Sequence, residues 1–133
     1  MRTICILAGL SAMALSVLLA QSDADYQSLM KTVGATNQSL QKNLAAKNAS
    51  GLTADATKLQ DTFKQVEDFW LKRNAPDAVD LAKQAETAAG AISKDASSGN
   101  MDQAAADAKI LAASCGGCHM AHREKGDSGF KIK

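Results

Sequence analysis

Apolar side chains recur at alternating steps of three and four residues through most of the chain after residue 21, which is the spacing of helices that bury one face. Four such segments follow one another, each about five turns long. The expected inner faces are Tyr26, Met30, Val33, Leu40 and Leu44 in the first segment, Leu52, Ala56, Leu59, Phe63, Val66 and Trp70 in the second, Ala78, Leu81, Ala82, Ala85, Ala88, Ala89 and Ile92 in the third, and Met101, Ala105, Ala108, Ala112, Cys115 and His119 in the fourth.

The residues between these segments carry helix start and stop signals. Asn74-Ala75-Pro76-Asp77 predicts the start of the third helix, with Asn74 as its cap and the proline in the first turn. Ser97-Ser98-Gly99 ends that helix, and Asn100 followed by Gln103 resembles the capping box of the fourth. Amphipathic helices joined by short loops bury their faces as antiparallel neighbours, so the predicted fold is an all-α, up-down-up-down four-helix bundle.

The first 20 residues have the order of charged, apolar and polar segments that is typical of a secretory signal peptide. Met1-Arg2 comes first, an apolar stretch runs from Ile4 to Ala20, and Gln21-Ser22-Asp23 is polar. A membrane anchor is the alternative, but this stretch is marginal in length for a span of about 20 residues. We therefore expect cleavage after Ala20, export to the periplasm and no stable membrane insertion of the mature chain.

The remaining residues, 21–133, have the length and composition of one globular domain. The glycine-containing, polar tail from about residue 126 is predicted to be flexible. Loss of Arg2 with the signal peptide lowers the number of basic residues from 15 to 14, against 14 acidic residues. The mature chain is therefore near neutral, and we expect no nucleic-acid partner, because such a partner requires a basic excess on one face.

Cys115-Gly116-Gly117-Cys118-His119 has the C-x-x-C-H spacing of covalent haem attachment, in which each thiol bonds one haem vinyl group and the histidine ligates the iron. Cys5 leaves with the signal peptide, so no other cysteine remains to pair with these two. A redox dithiol, a zinc site and a structural disulfide are the alternatives. A redox dithiol is expected to follow a strand, and no strand is predicted before this motif. A zinc site needs two further ligands, and His122 is the only other histidine. A structural disulfide leaves the adjoining His119 unexplained, whereas one haem c accounts for all three residues.

The second axial ligand of such an iron has to come from another helix. Met30 lies on the expected inner face of the first helix and has a thioether suited to iron, although a methionine at such a position is also ordinary core filler. Met101 and Met120 are weaker candidates because they lie on the same helix as His119. Arg123 is a candidate partner for a haem propionate, or a basic residue placed favourably at a helix C-terminus.

The haem motif near the C-terminus of a four-helix bundle, with Arg123 after it, resembles the class II c-type cytochromes, the cytochrome c-prime family. His122 occupies the place where this family commonly has an aromatic residue. Leu29-Met30-Lys31-Thr32-Val33-Gly34 is similar to the first helix of the low-spin branch, in which a methionine ligates the iron. The resemblance implies one haem enclosed by the bundle, with His119 and Met30 as its axial ligands.

These observations predict a one-electron carrier that exchanges electrons with redox partner proteins. The alternative is a five-coordinate protein that binds nitric oxide or carbon monoxide, with Met30 only packing. We do not expect an enzyme, because no distal acid or base residue is evident for oxygen chemistry. The sequence leaves open whether the protein forms a homodimer.

Overall fold

The computed structural model describes residues 22–133, which form four α-helices followed by two short β-strands. The elements are α1 (Asp23–Ala45), α2 (Ala49–Lys72), α3 (Pro76–Ser97), α4 (Met101–His122), β1 (Arg123–Gly126) and β2 (Gly129–Ile132). Each helix packs against the next one along the chain, so the predicted four-helix bundle is confirmed. The predicted signal peptide, residues 1–20, lies outside the described residues. None of the helices within residues 22–133 is both long and apolar enough to cross a membrane.

The starts of the helices differ in how their free backbone N–H groups are bonded. Ser22 and Asp25 form a reciprocal capping box at α1, and the Asn48 side chain accepts a hydrogen bond from the Gly51 N–H at 3.1 Å. The cap predicted for α3 is wrong, and at α4 the predicted N-cap residue, Asn100, is confirmed but its capping box is not. Ala75 rather than Asn74 precedes α3, and Asn100 makes no capping bond at α4.

Each pair of consecutive helices is joined by three residues, and the middle residue of each connection has a positive φ angle. These residues are Lys47, Asn74 and Gly99, with φ angles of 52°, 53° and 80°. The left-handed conformation reverses the chain directly after a helix end. This conformation explains why Asn74 is not a cap, since asparagine tolerates the left-handed region better than most residues.

The core is built mainly from alanines on α3 and from larger side chains on α2. Ala78, Ala82, Ala85, Ala88 and Ala89 are all buried on α3, opposite Leu59, Phe63 and Val66 of α2. A Cβ added at Gly90 of α3 would lie 2.8 Å from the Gln60 side-chain nitrogen of α2. Small residues therefore allow α2 and α3 to approach closely along most of their length.

Helix α4 turns a different face to the core from the one that the sequence predicted. Its buried residues are Ala104, Asp107, Ala108, Leu111 and Ser114. Ala112 is exposed and Ala105 is only partly buried, so the predicted face is displaced by one residue at these positions. Alanine and glycine occupy both sides of this helix, and their similar sizes give the periodicity little to distinguish.

The residues after α4 form an antiparallel β-hairpin that the periodicity did not predict. Arg123 pairs with Ile132, and Gly126 pairs with Gly129. The Lys133 N–H donates to the His122 carbonyl at 3.1 Å, and Ile132 packs against the core. Strands this short depend on tertiary contacts more than on their own pattern. The flexibility expected of the tail stays a prediction.

Replacing Leu59 with alanine tests the description of the core. Leu59 is fully buried, whereas Leu71 of the same helix is 50% exposed. We expect Leu59→Ala to lower the free energy of unfolding by about 2–5 kcal/mol, because it removes buried apolar contacts and leaves a cavity. The control Leu71→Ala should change it by about 0.5 kcal/mol or less. Denaturant unfolding followed by circular dichroism measures both values, and equal losses would contradict this packing.

Candidate functional site

A cleft of about 500 Å³ opens between α1 and α4 at the hairpin end of the bundle. These two helices have almost no direct contact with each other. Residues 26–37 of α1 form one wall, residues 115–122 of α4 form the other, and residues 128–132 of the hairpin lie across one end. The volume falls within the range of about 300–1,000 Å³ that is common for small-molecule sites.

The C-x-x-C-H residues occupy the last turns of α4 and line this cleft. Cys118 and His119 follow Cys115 by three and four residues, a spacing that brings their side chains to the same side of the helix as Cys115. Both cysteines are free thiols and are partly buried. A Cβ added at Gly117 would lie 3.2 Å from Cδ2 of Leu81, so a glycine here allows α4 to pack tightly against α3.

Met30 lines the same cleft from α1. It is partly buried against the core, and it also lines a smaller pocket of about 30 Å³ together with Cys115, Cys118 and His119. The cleft therefore brings together Met30, Cys115, Cys118 and His119, and the fifth site residue predicted from the sequence, Arg123, lines it as well. Met101 lies at the other end of α4, and Met120 is 77% exposed.

Burial changes the ionisation of the residues on the α4 wall. Burial raises the pKa of the Cys115 thiol, and burial with the neighbouring Cys115 raises the pKa of Cys118 to about 11. Burial, followed by the charge of Arg123, lowers the pKa of His119. At neutral pH both cysteines are therefore protonated, and the neutral His119 ring has a lone pair available for a metal ion.

Tyr26, which lines the cleft with Met30, belongs to an aromatic cluster. The rings of Tyr26 and Phe69 stack at 4.3 Å between centroids, and the Trp70 ring lies 5.4 Å from Tyr26 and 5.2 Å from Phe69. All three residues are buried. The Trp70 indole N–H has no hydrogen-bond partner within residues 22–133. The cluster holds the N-terminal part of α1 against α2.

His122, at the end of α4, is partly buried. Its Nε2 lies 2.7 Å from Oδ2 of Asp77 in the first turn of α3, and its ring lies 4.8 Å from that of Trp70. The hydrogen bond from His122 lowers the pKa of Asp77. This contact joins the end of α4 to the start of α3 across 45 positions of sequence, which a local pattern does not indicate.

Cationic side chains surround the mouth of the cleft. Arg123, the fifth predicted site residue, lies at this mouth, and its guanidinium carbon is 4.0 Å from the centroid of the Phe130 ring. Lys31 of α1 and Lys131 of β2 also line the cleft. Neither lysine was among the site residues predicted from the sequence. Lys31 is one residue after Met30, and Lys131 depends on the unpredicted hairpin for its position.

Comparisons of the chain with protein-family models, with curated proteins and with solved structures gave no match. Within residues 22–133 no group of three or more histidine, cysteine, aspartate and glutamate side chains is arranged to hold a metal ion.

The ionisation of Tyr26 tests whether the aromatic cluster beside the cleft is buried. Burial, and secondarily Cys118, raises the pKa of this phenol from 10.0 to about 12. Tyr26 is the single tyrosine of the chain, so the ¹³Cζ chemical shift of labelled tyrosine follows it alone. We expect a midpoint near pH 12 in the folded protein and about 10 in denaturant.

Between pH 10 and pH 12 the folded state binds more protons than the unfolded state, so the free energy of unfolding should fall as the pH rises through this range. Tyr26→Phe should reduce that loss. A folded-state midpoint of about 10 would show that the ring is exposed to solvent.

Proposed function

We propose that this chain is a monohaem c-type cytochrome that carries single electrons between proteins of the periplasm. One observation supports the proposal above the others: the two thiols and the imidazole of the C-x-x-C-H motif line the same cleft as the Met30 thioether of a different helix. This is the donor set of a covalently attached haem with histidine and methionine as axial ligands.

The residues of the cleft fit a group of this kind. A Cβ added at Gly34 would meet no atom within 4 Å, so this part of the α1 wall leaves room beside the thiols. Apolar side chains, including Val33 and Phe130, line the interior. Lys31, Arg123 and Lys131 at the mouth offer positive charge to the two propionates of a haem.

The protonation state of the cysteines favours attachment over a dithiol redox reaction. In attachment each sulfur bonds one vinyl carbon and the thiol hydrogen goes to the other carbon, so nothing leaves and no oxidant is consumed. A dithiol that exchanges disulfides needs a lowered thiol pKa, because the thiolate is its nucleophile. Burial raises the pKa of both Cys115 and Cys118.

Each residue of the cleft then has a distinct role. When bound, the haem iron supplies a one-electron couple. His119 provides a neutral imidazole from α4, and Met30 provides a thioether from α1, a ligand that raises the reduction potential. Packing of α1 against the aromatic cluster holds Met30 in place, and the hairpin limits the access of water to one end of the cleft.

Binding of nitric oxide or carbon monoxide to a five-coordinate iron is the second candidate function. The packing of Met30 favours it, because this side chain also contacts the core and lines the smaller pocket. In that case Met30 fills space and leaves one axial position free for a gas molecule.

Attachment is tested by the mass of the secreted protein. From a host that matures c-type cytochromes, we expect polypeptide plus one haem, because two thioether bonds survive denaturation. Cys115→Ser combined with Cys118→Ser should lose this added mass. His122→Gln is the matched control for His119→Gln, since only His119 is proposed to ligate iron. Wild-type protein with the mass of polypeptide alone would contradict the proposal.

Met30→Ala distinguishes the two candidate functions. For an electron carrier we expect the low-spin optical spectrum of the wild type to become high-spin, and the reduction potential to fall, because the thioether ligand is lost. Met101→Ala is the control, since Met101 is also partly buried against the core but lies at the far end of α4. A wild-type spectrum that is already high-spin supports gas binding, and a low-spin spectrum unchanged by Met30→Ala rejects Met30 as the ligand.

A further inference from the structure

We infer that the hairpin end of the molecule is a docking surface for an acidic protein. We define the hairpin surface as Met120 of α4 together with residues 123–133. It borders the cleft, because residues 128–132 belong to both. That the partner is a redox protein rests on the proposed function, whereas the surface and its charge do not.

The charges of the described residues are distributed unevenly between the hairpin and the helices. Residues 123–133 contain four basic and two acidic side chains, whereas residues 22–122 contain ten basic and twelve acidic side chains. The near neutrality of the whole chain therefore conceals a positive segment of eleven residues attached to a negative body. Such a separation of charge orients a protein toward a partner of opposite sign before contact.

Three of the acidic residues at the same end of the bundle are engaged in contacts of their own. Asp23 pairs with Arg73, Asp25 belongs to the capping box with Ser22, and Asp77 is bonded to His122. On the hairpin Lys131 pairs with Glu124 at 3.2 Å. Arg123, Lys125 and Lys133 take part in no ion pair within residues 22–133, so three of the four hairpin cations have no carboxylate partner there.

Exposed apolar side chains accompany these cations. Phe130 is 59% exposed and Met120 is 77% exposed, although both are large apolar residues. Lys125 is the cross-strand partner of Phe130, and the Lys133 ammonium donates to the Met120 carbonyl at 2.7 Å. Apolar residues with charged neighbours are the composition of a protein interface, so the fitting partner has an apolar centre bordered by carboxylates.

The test measures binding of poly-L-glutamate to the haem-loaded protein at low salt, by titration calorimetry and by amide chemical shifts of the reduced state. We expect the shifts to map to the hairpin surface and to Lys31, and the binding to weaken as salt screens the charges. Lys125→Glu with Lys133→Glu should weaken binding about tenfold. Neither lysine lines the cleft, so the optical spectrum should not change.

Two further variants separate the effect of position from that of net charge. Lys58→Glu with Lys109→Glu makes the same change in charge at exposed helical positions, about 20 Å along the helix axes from the hairpin end, and should leave binding nearly unchanged. Asp127→Lys adds positive charge at the hairpin turn and should tighten it.

Equal weakening by the two double variants would overturn the inference, as would tighter binding to phosphatidylglycerol vesicles or to duplex DNA than to poly-L-glutamate. Binding does not require haem to be observed. A colourless protein that still binds the acidic polymer at the hairpin therefore rejects only the proposed function, and a coloured protein that does not bind it rejects only the docking surface.

Discussion

The close packing of α3 against both of its neighbours determines where this bundle can have an opening. Alanines along α3 and the contact of Gln60 with Gly90 bring α2 and α3 together, and Gly117 brings α4 close to Leu81 of α3. Helix α1 packs mainly on α2 and is held at one end by the stacking of Tyr26 on Phe69. The side between α1 and α4 is consequently the open one, and all of the proposed ligands lie there.

Much of the fold could be predicted from sequence because three of the helices have well-separated apolar and polar residues. In α2 the buried Leu59, Phe63 and Val66 are separated along the sequence by polar residues, so the helical period is evident. The inner face of α4 could not be placed correctly, since alanine and glycine occur on both of its sides. The hairpin and the bond between His122 and Asp77 depend on contacts between distant parts of the chain, which no local pattern encodes.

The candidate site could also be predicted only where the relevant pattern is local in the sequence. The C-x-x-C-H motif is local, so its spacing alone selects Cys115, Cys118 and His119. The prediction of Met30 depended on which helix faces the motif, and in the structure Met30 lies on the opposite wall of the cleft. Lys31 and Lys131 were missed because their significance comes from the position of the cleft mouth. The overall charge also gave no indication of how unevenly the hairpin and the helices share it.

The position of the hairpin after α4 has a consequence for the order in which the molecule can be completed. During synthesis the three helices that form the back and one wall of the cleft precede the thiols, and the strands that cover one end come after them. A haem, as proposed for this site, could therefore reach Cys115 and Cys118 from the open side before the hairpin closes over that end. Its attachment would not require a finished structure to unfold, since the entrance narrows only when the final strands have paired.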